Sequence, residues 1–232
     1  MTGIRGPRRT ATRQRLYDAA AALVAEQGFS GTTVEEIAER AGVAKGTVYY
    51  NFGGKTELFE ELLAHGWGLL GAALREAADR SWQRGDSPGE ILDALVRGGL
   101  AFCAEHPSLV RVCVAELWRP GRPWHATVTT ARGRSALEIE RVLRARTEGD
   151  GTGGRRAADP GDGPLGVREP AHPAPEAGAG PAEPGAAATG VLGVLLVTAL
   201  DWQSFQPHRS LEEVHAALSP LLPCGHTESG RP

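Results

Sequence analysis

Three times along this chain a serine or threonine stands three residues ahead of a glutamate at the head of an apolar run. The three are Thr33-Val34-Glu35-Glu36, Ser87-Pro88-Gly89-Glu90 and Ser210-Leu211-Glu212-Glu213. In that spacing the hydroxyl accepts from the N–H three positions on, and the carboxylate reaches back to the first residue's own N–H. The device starts an α-helix, and the runs that follow keep the helical period. Residues 10–27 place Leu16, Ala19, Ala20, Leu23 and Val24 on one face, with Gly28 as the stop. A short helix buries Val34, Ile37, Ala38 and Ala41 and ends at Gly42. Another covers 44–51. A long one runs from Thr56 toward Ser81, and further helices are expected over 88–106, 108–118, 125–147, 187–205 and 211–219. No β-alternation of useful length occurs. The pattern predicts an all-α fold of about nine helices and excludes a βαβ nucleotide-binding architecture.

Charge and composition divide the chain unevenly. The whole carries a net charge of −3, yet residues 1–15 hold Arg5, Arg8, Arg9, Arg13 and Arg15 and no acid. A basic arm on an acidic body suggests contact with a polyanion at one end. Cys103, Cys113 and Cys224 are an odd, scattered set that fits a reducing cytosol. Residues 148–188 are Gly, Pro, Ala and charges, with too little apolar surface to offset the entropy of ordering, and read as a disordered insertion. The longest apolar run, 190–200, reads as too short to span a bilayer. A cytoplasmic location without a membrane partner is expected.

The stretch GVAKGTVYYNFGGK carries the most information. At about 100° per residue, Ala44, Val48 and Phe52 stack on one side of a helix, which predicts the buried face. Gly46 and Tyr50 fall nearly opposite, flanked by Lys45 and Tyr49. Holding glycine rather than alanine inside a helix costs about 1 kcal/mol. Another surface approaching the backbone closely would explain it. Duplex DNA is such a surface: phosphates accept from Tyr, Lys and Thr, and thymine methyls take small apolar contacts. The two short helices, joined at Ala41-Gly42-Val43, form a helix-turn-helix whose second member enters a major groove.

Residues 10–63 resemble the N-terminal domain of the TetR family of bacterial transcriptional regulators. The resemblance rests on Gly28-Phe29, Thr33, Ile37-Ala38, Gly42-Val43, Lys45-Gly46-Thr47, Tyr49-Tyr50, Phe52, Lys55 and Leu58 at fixed spacing. It implies that Lys45, Gly46, Thr47 and Tyr49 face the groove and that Thr33, Tyr50, Asn51 and Lys55 hold phosphates. Arg9 and Arg13 of the arm would reach neighbouring phosphates or a minor groove. Thr33 has a compatible second role as helix cap. The domains expected are 1–54 for DNA, 55–222 for effector binding and dimerisation, and 223–232 as a tail.

In the second domain the 187–205 helix is apolar nearly all round, so more than one face must be covered. Leu192, Leu195, Leu196, Trp202, Leu211, Val214 and Leu218 are the expected contacts of a homodimer, which would set two recognition helices on a near-palindromic operator. A purely intramolecular core helix is the alternative. Effector-pocket candidates are Trp67, Phe102, Cys103, His106, Trp118 and Trp124, most of which also suit a plain core. Gly66, Gly68 and Gly71 suggest either a hinge or close packing. The reading is a double-stranded-DNA-binding repressor released by a small-molecule effector, without cofactor or metal. A regulator controlled by a protein partner is the alternative. An enzyme built on Cys103 or Cys113 with His65, His106 or His125 lacks a nucleophile elbow or phosphate loop. Cys224-Gly225-His226 is a single pair of metal-binding residue types without further ligands.

Overall fold

Three of the described helices begin at a serine or threonine cap, and several end just before a glycine or proline. The structure, a computed structural model, describes residues 5–151 and 183–222. Among the described residues the elements are α1 (Arg5–Gly31), α2 (Val34–Arg40), α3 (Lys45–Phe52), α4 (Lys55–Arg84), α5 (Pro88–Glu105), α6 (Pro107–Leu117), α7 (His125–Gly151), α8 (Ala186–Phe205) and α9 (Leu211–Leu218), then a 3-10 turn (Ser219–Leu221). No strand occurs among them. All three capping boxes form at the heads of α2, α5 and α9, each with both reciprocal hydrogen bonds. Gly28 interrupts α1 at φ 76° and ψ 164°, so the last residues of α1 form a separate turn. Only glycine takes that conformation without strain.

Most of the expected insertion, 152–182, lies outside the described residues, as do Cys224 and the tail from 223. Its edges are helical: α7 continues to Gly151 and α8 opens at Ala186, with Ala188 fully buried.

The long α4 is the spine of the molecule. Its first turns carry the buried Leu58, Phe59, Leu62 and Leu63 next to the N-terminal helices, and Leu70 and Leu74 extend the same core upward. Each such side chain contributes roughly 1.5–3 kcal/mol of burial. The α7 helix lies beside α4 in the same direction. Glu60 meets Thr127, Gly71 packs on Ser135, Arg75 pairs with Glu138, and Asp79 pairs with Arg141. Two of the three α4 glycines serve close packing. A Cβ on Gly66 would lie 2.8 Å from Leu109 Cδ1 and 2.9 Å from Cys113 Sγ; one on Gly71 would lie 3.2 Å from Ser135 Oγ. Gly68 faces open space, so any hinge reduces to that one position.

By length and composition α8 is apolar enough to cross a bilayer, which corrects the expectation drawn from the shorter 190–200 run. One side of it belongs to the core. Ala188, Leu192, Leu195, Leu196 and Ala199 are buried, and a Cβ on Gly99 of α5 would come 2.5 Å from Leu195. This also corrects the expected dimer contacts. Leu192, Leu195, Leu196, Val214 and Leu218 are buried within their own chain, and Trp202 and Leu211 are half-buried against it. The outward side presents Gly190, Gly193, Val194, Val197 and Phe205, with Leu221 beyond α9. A helix that is apolar all round gives periodicity nothing to distinguish these two faces.

Candidate nucleic-acid interface

The candidate site rests on the turn between α2 and α3. Val43 N donates to Ala38 O at 2.9 Å and Gly42 N to Glu39 O at 3.0 Å, with Gly42 at φ 64°. This paired closure, with a left-handed glycine just past the helix end, is the Schellman arrangement. It fixes the direction in which α3 departs. At the other end of α2, Thr33 N and Oγ1 both donate to Glu36 Oε2 at 2.7 Å, and Thr33 Oγ1 accepts from Glu36 N at 3.2 Å. Those bonds from Thr33 hold the Glu36 carboxyl below its ordinary range.

On α3, Val48 and Phe52 are buried as the helical phase predicts, but Ala44 is not. It is the exposed N-cap, with extended backbone, because the helix starts one residue later than expected. Lys45 and Gly46 are exposed, Thr47 is half-buried, and Tyr49 and Tyr50 are 47% and 78% exposed. A Cβ on Gly46 would meet nothing within 4 Å. Packing among the described residues therefore gives no reason for glycine there. Lys45 pairs with Glu35 of α2, and its Nζ lies 5.9 Å from the Tyr49 ring centroid. The bond to Glu35 raises the lysine's pKa and lowers the carboxylate's.

Three residues expected on phosphates are used inside the protein instead. Asn51 is buried: its Nδ2 donates to Thr47 O at 2.8 Å, and its Oδ1 lacks a donor among the described residues. Arg13 donates to Asn51 O at 2.8 Å, to Tyr17 Oη at 2.8 Å and to Glu61, with its guanidinium 4.2 Å from the Phe52 ring centroid. It fastens α1, α3 and α4 together. Lys55 Nζ donates to Phe29 O at 3.0 Å and Thr32 O at 2.8 Å, and sits 4.3 Å from the Phe29 ring centroid. It satisfies carbonyls at the broken end of α1, where a cation is electrostatically favoured. Arg9 is exposed. The outward set is thus Arg9, Thr33, Lys45, Gly46, Thr47, Tyr49 and Tyr50, joined by Ala44, which the helical phase had placed inside.

The six effector candidates do not converge. Phe102 and Cys103 are core, Trp118 is 80% exposed, and half-buried His106 stands against Phe102 with ring centroids 4.7 Å apart. Trp124 is buried in a triad with Phe29 and Phe59, all centroids 4.7–4.9 Å apart, and its Nε1 donates to the buried Glu116 at 2.9 Å. Only Trp67 lines a cleft of some size, about 470 Å³ between α4 and α7. His65 and His106 border a smaller one of about 190 Å³ between α1, α4 and the α5–α6 junction. Burial pushes the Cys103 and Cys113 thiols up to about 12, which keeps both protonated and non-nucleophilic at neutral pH.

Residues 16–62 match the family model described as bacterial regulatory proteins, tetR family. The chain is similar to the HTH-type transcriptional regulator SrpR of Pseudomonas putida, 47% identical over 53 residues, 23% of this chain and 25% of that one. It is also similar to the HTH-type transcriptional repressor KstR2 of Mycobacterium tuberculosis, 40% identical over 107 residues, 46% of this chain and 52% of the other. The chain spans a quarter to about half the length of the curated relatives it matches. Among solved structures it resembles the fatty acid degradation regulator FadR of Bacillus halodurans, at 20% identity, with 97% and 99% of the chains covered and a TM-score of 0.68. It also resembles FadR of Bacillus subtilis in complex with stearoyl-CoA, at 20% identity, 90% and 96% coverage and a TM-score of 0.64. At such identities the likeness is one of fold.

Proposed function

We propose that this chain, whose residues 16–62 match the tetR family model, is a homodimeric repressor of that family that binds a near-palindromic operator in the cytoplasm and is released from it by a small-molecule effector. One observation carries the reading. Beyond its tight turn, α3 exposes Lys45, Gly46, Tyr49 and Tyr50 above a buried Val48 and Phe52, and Gly46 has clearance that nothing among the described residues uses. In a major groove, Gly46 lets the backbone approach base edges. Lys45, Thr47 and Tyr49 line that approach, and Tyr50, Thr33 and Arg9 meet phosphates. Residues 1–54 form the DNA-binding unit, and 55–222 the effector and dimer unit. Two copies join through the outward side of α8, whose Val194, Val197 and Phe205 are too apolar for a water-facing role. Solved neighbours bound to stearoyl-CoA and lauroyl-CoA support an effector that carries an acyl chain.

Selection of bound DNA from a random pool tests the core of this. An inverted repeat is the expected product, and no enrichment at moderate salt overturns it. Tyr50→Phe is expected to weaken binding to every sequence alike, as a lost phosphate contact does. Its melting temperature should stay put, because Tyr50 is 78% exposed.

A further inference from the structure

An eight-residue helix such as α3 is not stable alone in water and takes its place from its neighbours. The turn at Gly42 fixes its start, and Val48 and Phe52 seat its underside. Its far end has no such help from its own sequence. Residues 49–52 hold no cation to meet the negative end of the helix dipole. Asn51 O is among the last four carbonyls, which have no partner within a helix. The missing cation comes from α1. Arg13 Nη1 donates to Asn51 O at 2.8 Å, with the guanidinium 4.2 Å from the Phe52 ring centroid. Its Nη2 donates to Tyr17 Oη at 2.8 Å and pairs with Glu61 of α4. Tyr17 is buried, and its hydroxyl donates to the same Glu61 oxygen at 3.3 Å.

A guanidinium is flat and stiff, so its two nitrogens move as one plane. A displacement of Glu61 with α4 therefore reaches the far end of α3 through a single side chain. We propose that Arg13 is a positioning residue for DNA recognition: anchored on Glu61, it sets where the end of α3 lies, and so the register of Lys45, Gly46, Thr47 and Tyr49 against base edges. The inference rests on the repressor reading and adds to it the residue pair by which α4 reaches the recognition helix. Base contacts need placement to within about 0.5 Å, whereas phosphate contacts carry no sequence information. The pair therefore governs preference for operator over random DNA. The sign of its effect is opposite to that of its charge. Glu61 is an acid, 46% exposed in its side chain, on a protein that meets a polyanion. If only its charge mattered, removing it would tighten binding to all DNA. As the anchor of Arg13, its removal weakens binding to the operator.

Glu61→Ala and Arg13→Lys in the full-length chain test this, by competition of the selected operator against random DNA. Both should lower the operator-to-random affinity ratio by about tenfold, the order of one misplaced base contact. Glu61→Ala should still bind random DNA at least as tightly as the unaltered protein. Arg13→Lys keeps the charge but not the two-ended fork, so a phosphate contact would survive it and the operator preference with it. Hydrogen exchange on the DNA-free variants gives a readout that needs no operator. Amides of residues 50–53 should exchange about fivefold faster or more, with those of α2 unchanged. A ratio that either variant leaves in place overturns the inference. So does a parallel change in the two affinities, unaltered exchange at residues 50–53, or equal acceleration in α2, the mark of general destabilisation. If the unaltered protein enriches no operator, the repressor reading fails and takes this role with it. A retained ratio against a proven operator fails the inference alone.

Discussion

Lys55 shows how one side chain can look like a ligand contact in sequence and act as a fastening in the fold. Its ammonium neutralises two carbonyls at the end of α1, 26 and 23 residues earlier in the chain. Replacing it with methionine strands both acceptors. The expected loss is about 1–3 kcal/mol of stability, read by urea denaturation. A phosphate contact would behave differently: the slope of log affinity against log salt would fall by about one, with stability unaltered. The two measurements on Lys55→Met therefore tell the roles apart, and the fastening role requires a lowered denaturation midpoint with an unchanged salt slope. Arg13 and Asn51 follow the same logic. Nothing local to GTVYYNF says that Arg13 is spent on the Asn51 carbonyl and Glu61, since those partners come from α3 and α4.

Where α1, α4 and the α5–α6 junction meet, His65 stacks on Tyr17 with ring centroids 4.7 Å apart. Burial pulls its pKa below the ordinary histidine value. The charges of Arg13 and His106 act in the same direction, and Asp18 opposes them. The unfolded chain thus takes up this proton at a higher pH than the folded one. Stability should be fully present above about pH 6.5 and fall as the pH drops below it, until the folded imidazole also protonates. Denaturation midpoints from pH 7.5 to 5.5 should show this decline, and His65→Phe, which keeps the ring stack, should flatten it. Elements of this kind were largely legible in the sequence. Capping boxes, glycine stops and apolar periods are local signals, and they set the order and approximate limits of all nine described helices. What the elements do to one another was not legible. The triad of Phe29, Phe59 and Trp124 joins α1, α4 and the residue preceding α7, and no periodicity connects those three positions. Thr130, Arg134 and Ser135, which line the cleft between α4 and α7, were likewise missed, because a cleft wall is recognisable only once the two helices are in place.

For the whole molecule, the two sides of α8 make opposite predictions. Val197 is 64% exposed and Leu195 is 1% exposed. Val197→Glu should leave the monomer folded and shift sedimentation from dimer to monomer, with operator binding lost alongside. Leu195→Ala should instead cost about 2–5 kcal/mol of stability through a cavity in the core. A soluble, folded Val197→Glu protein that remains dimeric would place the two-fold contact elsewhere. The pairing of Lys45 with Glu35 has a consequence of another kind. On the proposed DNA-binding reading, the lysine would exchange a carboxylate for a phosphate on arbitrary DNA and gain little. Base contacts at an operator would reward the exchange, so the glutamate would handicap wrong sequences more than the right one. Glu35→Gln should raise affinity for random DNA by up to about fivefold, the ceiling for an exposed ion pair, and raise operator affinity less. Competition binding at fixed salt reads the ratio. On that reading, an acid that weakens the protein's grip would shorten its stay at each wrong address, and so the time taken to find the right one.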